Sequence, residues 1–173
     1  MINEKMQEEI NKQIMYEFYS AYLYMAMAAY FSAKGLDGMS SWMRAQAQEE
    51  LVHGMKFYDH LRDRDGKINL LAIEQPKATW KSPLDAWQEA YKHEQFVTSR
   101  INTLVTLSRE TNDYASMPLL NWFVEEQIEE ESSTSKVAQT LEQIGNSGSG
   151  LVMLDRELAT RTFTYPTATQ GGE

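Results

Sequence analysis

The chain of 173 residues contains no cysteine. That excludes disulfides, thiolate nucleophiles, zinc ribbons and iron–sulfur clusters. Proline and glycine are scarce, at four and nine, and long stretches run without either. The longest apolar run, Tyr22 to Phe31, is about half of the ~20 residues that a membrane span needs. The N-terminus, MINEKMQEEI, has no apolar signal core. Cations are in deficit: sixteen Lys and Arg face twenty-five Asp and Glu, a formal charge of −9. Nucleic-acid backbone binding needs clustered cations, so this balance argues against it. It suits a surface or cavity that concentrates cations. With 42% apolar residues, the sequence predicts one soluble, cytoplasmic domain over residues 1–173.

The few breakers divide the chain into helical pieces. Residues 4–34 lack Gly and Pro; Gly35-Leu36-Asp37-Gly38 then makes a turn, and a second piece covers 39–65. Gly66 stands where a helix-ending residue is expected. Lys67 to Lys81 has no helical period and reads as an extended connection. Ser82-Pro83 with Asp85 forms a start signal for a third helix over 83–112. Asp113 is placed to cap a fourth over 114–145, with Pro118 in its opening turns. After Asn146-Ser147-Gly148-Ser149-Gly150 come a short fifth helix, 151–163, and a loose tail, 164–173. Tight first and third joints make antiparallel neighbours. The second joint, roughly sixteen residues, reaches ~50 Å, enough to run along a ~42 Å helix. The expected architecture is therefore all-α: a four-helix bundle with one long crossover, the ferritin-like connectivity, plus a C-terminal fifth helix.

Steps of three and four locate each buried stripe. The first helix gives Ile10, Ile14, Glu17, Ala21, Tyr24, Ala28 and Phe31. The second gives Met39, Met43, Gln46, Glu50, His53, Phe57 and His60. The third gives Leu84, Trp87, Tyr91, Glu94, Thr98, Ile101 and Val105. The fourth gives Leu120, Phe123, Gln127, Glu130, Thr134, Val137, Leu141 and Ile144. Each stripe is mostly apolar and is interrupted by glutamate near its midpoint, so four carboxylates and an imidazole converge at one level. Burying a carboxylate costs several kcal/mol unless it is compensated, and none of these positions is Lys or Arg. Either some glutamates share protons or cations bind between them. Glu50-x-x-His53 has the i, i+3 spacing of di-iron carboxylate bundles, and Glu, His and Gln offer donors suited to hard or borderline divalent metals.

Other features are weaker. Glu126 and Glu129 form an i, i+3 pair beside the inward Gln127 and Glu130, and Glu49 can face them as a third, more exposed cation site. Tyr24 reads equally as a core tyrosine and as a partner of the metals. His60 ends its stripe, and His93 is rotated about 100° off its own, toward solvent. The ten methionines read as packing and subunit-contact filler rather than ligands. Aromatics off the stripes, such as Tyr16, Tyr19, Tyr30 and Trp42, need cover from elsewhere.

Glu17, Glu50-Leu51-Val52-His53, Glu94 and Gln127-Ile128-Glu129-Glu130, with the crossover and fifth helix, resemble the bacterial non-haem ferritins over essentially the whole chain. The resemblance implies that Glu17, Glu50 and His53 hold a first iron. Glu50 would bridge to a second held by Glu94 and Glu130, with Gln127 close by. Glu49, Glu126 and Glu129 would share a third with Glu130, and Tyr24 would lie beside the centre. It further implies a ferroxidase that oxidises Fe2+ with O2 or H2O2 and deposits ferric mineral inside a homo-oligomeric shell of twenty-four copies. Haem is not expected, because Leu51 stands where haem-binding relatives carry methionine. Two alternatives remain at this level: a soluble di-iron oxidase or peroxidase that stores no iron, and a helical interaction protein whose buried glutamates are protonated.

Overall fold

The computed structural model describes residues 2–165. The chain forms α1 (Glu4–Ala33), α2 (Asp37–Asp63), α3 (Pro83–Glu110), a single 3-10 turn (Tyr114–Ser116), α4 (Met117–Ile144) and α5 (Gly148–Leu158), with no strand among the described residues. As the breakers predict, α1 pairs with α2 and α3 with α4; α1 also contacts α3, and α5 packs on α2. The crossover follows α1 from end to end. At its start Lys67 N donates to Gln7 Oε1 (2.7 Å) and Asn69 N to Asn11 Oδ1 (2.7 Å); at its finish the buried Trp80 meets Tyr30, ring centroids 5.2 Å apart.

Element ends follow local chemistry where the partner is local. Ser82 Oγ accepts from Asp85 N (3.1 Å), and Asp85 Oδ2 accepts from Lys81 N (2.9 Å), so α3 begins as expected. Pro118 sits in the first turn of α4, where its missing N–H costs nothing. Other ends depart from expectation because distant groups intervene. Helix α2 starts two residues before Met39, since the Asp155 carboxylate of α5 accepts from Gly38 N (3.1 Å) and Met39 N (2.8 Å). Gly38 is held to glycine: a Cβ there would lie 1.7 Å from the Asp155 carbonyl oxygen. Past α2 the left-handed residue is Asp65 (φ 53°), not Gly66. Gly66 contributes small size instead, since its Cβ would lie 2.3 Å from a Leu61 methyl.

Asp113 does not cap α4. Its carboxylate pairs with Arg64 (2.6 Å) and accepts from the Ser116 hydroxyl (2.7 Å), and the 3-10 turn intervenes before the helix. Helix α5 occupies 148–158 rather than 151–163, because Ser147 Oγ accepts from Gly150 N (3.2 Å) and draws both glycines into the first turn. Of the tail expected to be loose, residues 164 and 165 have no regular structure; 166–173 lie outside the described residues.

The stripes of α1 and α4 are buried as expected, apart from a half-buried Ile144, and that of α2 is buried up to Phe57. On α3 Trp87, Glu94 and Ile101 are buried as expected, but Ala86, Ala90, Val97 and Leu104 complete the face, while Leu84, Tyr91, Thr98 and Val105 are only half-buried. The two alanines let α3 approach its neighbours closely, and composition hides this because small residues carry little hydropathy. Tyr30 and Trp42, expected to need outside cover, are buried within the chain; Tyr16 and Tyr19 are half-buried. The apolar interior is split in two. One cluster centres on Tyr24, Phe31, Met39, Trp42 and Trp87, the other on Ile10, Phe57, Ile101 and Phe123. The fully buried Met6, Met27, Met39 and Met43 fill these clusters. Between the clusters lies a polar layer.

Candidate metal centre

That layer is built from one or two side chains per helix: Glu17 from α1, Glu50 and His53 from α2, Glu94 from α3, Gln127 and Glu130 from α4. None is more than 4% exposed. Three groups of donor atoms have all their members within 4.8 Å of one another: Glu17, Glu50 and His53; Glu50, Glu94 and Glu130; and Glu49, His53, Glu126 and Glu130. Glu50 is common to the first two groups and Glu130 to the last two. Oxygen-rich sets with one imidazole are the donor chemistry expected for iron, manganese or zinc rather than for soft ions.

Neutral amides and a phenol surround the acids. Gln13 Nε2 donates to Glu17 Oε1 (2.8 Å). Gln46 Nε2 donates to Glu50 Oε1 (2.9 Å) and to both oxygens of Glu130 (2.9 and 2.8 Å). The Tyr24 hydroxyl donates to Glu94 Oε1, and Gln127 Nε2 lies 3.3 Å from Glu94 Oε2. No Lys or Arg pairs with any of the four inner glutamates among the described residues. Burial pushes Glu17 and Glu130 well above the usual carboxylate range and Glu94 up to about 8; the Glu50 charge adds to the first and third of these, that of Glu94 to Glu130. Glu50 goes the other way. Burial raises it, but the His53 contact (Nδ1 to Oε2, 3.4 Å) and the Gln46 bond outweigh burial. For His53, burial favours the neutral ring, yet the bonds to Glu126 and Glu50 and the charges of Glu50 and Glu17 raise it well above normal. Burial thus favours protons on Glu17, Glu94 and Glu130, while the contact between Glu50 and His53 favours their charged forms.

The outer residues divide. Glu49 and Glu126 join the third group with His53, and His53 Nε2 lies 3.7 Å from Glu126 Oε1. Glu129 is exposed and belongs to none of the three groups; a 100° step along α4 turns it away, and His53 stands in its place. Tyr24 is fully buried and bound to a site carboxylate, so its packing and site readings coincide. His60 is remote: its Nε2 lies 2.9 Å from Ser116 Oγ, at the far end of α2. His93, expected in solvent, is half-buried among Tyr19, Tyr24 and Phe96, with Nε2 2.8 Å from Ser20 Oγ. Burial holds it below its normal pKa.

Sequence periodicity placed Gln46 on its stripe without a function; its reach over two acids became visible only with α4 in position. Arg161 gave no sequence signal. Carried by the segment after α5, it donates to Glu49 Oε2 (2.5 Å) and Gln46 Oε1 (2.6 Å).

The ferritin-like domain family matches residues 7–144. The chain belongs to the ferritin-like family. It is 36% identical over 163 residues to the bacterial non-heme ferritin of Staphylococcus aureus strain MRSA252, covering 94% of this chain and 98% of that protein. The Staphylococcus saprophyticus bacterial non-heme ferritin is 37% identical with the same coverage. Among solved structures, a closed form of the Archaeoglobus fulgidus ferritin made by site-directed mutagenesis superposes with a TM-score of 0.93 at 47% identity, over 95% of this chain and all of that one. The open-pore ferritin of the same archaeon gives 0.92 at 46%, over 94% and 99%. This ferritin-like chain therefore shares its family fold with both bacterial and archaeal members.

Proposed function

We propose that the protein is a ferroxidase and iron-storage subunit, with Fe2+ as its substrate. The observation that carries this reading is the inner layer: four buried carboxylates and one imidazole from four helices, with no Lys or Arg beside them among the described residues. Glu17, Glu50 and His53 take one Fe2+; Glu50, Glu94 and Glu130 take the other, with Gln127 beside them. Glu49, Glu126 and Glu130, with His53, form a third station, to which Glu129 adds an exposed carboxylate on the approach. Gln46 fixes Glu50 and Glu130, Gln13 fixes Glu17, and Tyr24 fixes Glu94, so the oxygens need little reorganisation when ions enter.

Charge balance supports two divalent ions. Entry of two Fe2+ brings four positive charges, and it expels the protons of Glu17, Glu94, Glu130 and His53, which number the same. The layer's net charge is preserved in a place where an uncompensated charge is costly. Oxidation then passes one electron from each Fe2+ to O2, which with two protons gives H2O2, or to H2O2, which with two protons gives two waters. Carboxylate oxygens favour the harder Fe3+ product, and the apolar clusters on either side limit stray chemistry. We place Fe3+ deposition inside a cytoplasmic shell of twenty-four copies. The family membership and exposed apolar residues such as Tyr22, Met25, Ile128 and Met153 support association.

Aerobic addition of Fe2+, with ferric absorbance and particle size followed together, tests the reading. The expected outcome is rapid oxidation and hundreds of irons per particle. Saturation at two or three irons per chain would instead favour a non-storing di-iron oxidase or peroxidase, and no binding at all would leave only the protonated-glutamate interaction protein.

A further inference from the structure

The third cluster differs from the inner layer in one respect that the ferroxidase reading leaves unused: it already holds a cation of the protein's own. The Arg161 guanidinium sends Nη2 to Glu49 Oε2 (2.5 Å) and Nη1 to Gln46 Oε1 (2.6 Å). Its Cζ lies 4.1 Å from the centre of the Trp42 ring. A guanidinium stays charged at every physiological pH and grips through a planar fork. Its backbone is not in a helix, following α5 in the segment 161–165. Beside it opens a cavity of about 480 Å³ lined by Asp37, Ser40, Ser41 and Gln48.

We propose that Arg161 is a displaceable counter-cation that competes with a divalent ion for Glu49 and so sets how readily the third station fills. With the station empty, the guanidinium neutralises Glu49. An arriving divalent ion takes that carboxylate, and Arg161 swings from Trp42 into the adjoining cavity, where the Asp37 carboxylate offers a second partner. Departure also frees Gln46 Oε1. The amide nitrogen keeps its bonds to Glu50 and Glu130, so the hold on the inner pair is little changed. The inference rests on the reading of Glu49, Glu126 and Glu130 as cation donors.

Anaerobic titration with Zn2+, which undergoes no redox change, tests it on the full-length assembly. Calorimetry and tryptophan emission are recorded for wild type, R161Q, R161K and E49Q. In R161Q the weakest-bound zinc tightens by roughly tenfold, the scale of one charge-assisted contact, while the two tighter ions shift by less than about twofold. Wild-type emission changes at that last equivalent as the cation leaves Trp42, and R161Q lacks the change. R161K, which keeps the charge without the fork, tightens by roughly threefold and stands in if R161Q loses its helicity. E49Q abolishes the last ion and leaves the first two. Unchanged or weaker binding of the last zinc in the folded Arg161 variants overturns the proposal, as does wild-type emission that is silent at that step. Two tight ions with no third overturn this proposal alone, whereas no zinc in wild type overturns the ferroxidase reading with it.

Discussion

The inner layer and the outer cluster solve one electrostatic problem in opposite ways. Glu17, Glu50, Glu94 and Glu130 are shut between two apolar clusters, close to one another and bonded to amides, a phenol and His53. A few ångströms away, the Glu49 and Glu126 side chains are 25% and 19% exposed, and Glu49 has an arginine. There burial still raises Glu49, but the Arg161 charge works against it. Where the dielectric is low, acids must keep their protons or accept ions, because an arginine buried there would itself need desolvation. The dry acids are thus suited to holding metal ions tightly and the wet ones to passing them on.

The largest effect that would break this contrast comes from the shared inner acid. Glu50→Ala is expected to slow Fe2+ oxidation by on the order of 100-fold or more, with far-UV helicity retained; oxidation at the wild-type rate would remove the inner layer from the chemistry. Metal-free stability should come next. Carboxyls whose folded pKa is raised bind more protons folded than unfolded, so their contribution is complete below the ordinary carboxylate range and is lost as pH rises. For Glu94 that window runs from 4.5 to about 8, on the order of a few kcal/mol, and Glu17, Glu130 and His53 act in the same direction. Glu50 has the opposite sign and matters only on the acid side. Thermal melts should therefore show the metal-free protein more stable at pH 5 than at pH 8, with two equivalents of Zn2+ flattening the slope. At pH 6.5 those two equivalents should release about four protons, measurable by calorimetry in buffers of different ionisation enthalpy.

Two smaller effects sharpen the comparison. Tyr24→Phe deletes the hydroxyl on Glu94 and should weaken the second inner ion by ~10-fold, seen in the second step of a zinc titration. On the outer side, Glu126→Gln should weaken the last ion by roughly tenfold, while Glu129→Gln should change it by less than about twofold. Equal effects would restore Glu129 as a full member of the third station.

Much of the inner layer was legible because each contributor lies on a stripe of its own helix, and Glu17, Glu50, His53, Glu94, Gln127 and Glu130 fall at one height when the helices are aligned. On α3 the stripe was legible at Trp87, Glu94 and Ile101 but not on its other side, since Ala86 and Ala90 pack closely without adding hydropathy. What stayed illegible was whatever depends on groups distant along the chain. Asp155 starts α2 from α5, and Arg161 reaches back across 112 positions to Glu49. Glu129 differs for another reason: adjacency in sequence puts it in the acidic tract, while helical rotation leaves it exposed and outside the three donor groups.

Gly38 gives the fold an unexpected lever. The carbonyl of Asp155 rests where any other residue would put its first side-chain carbon, so α5 docks flush against α2 at a bare hydrogen. Add one methyl and the short helix must lift, carrying the strand of chain behind it away from Trp42 and Glu49. The aim of a guanidinium at the far end of the sequence is thereby set by an atom that position 38 does not have.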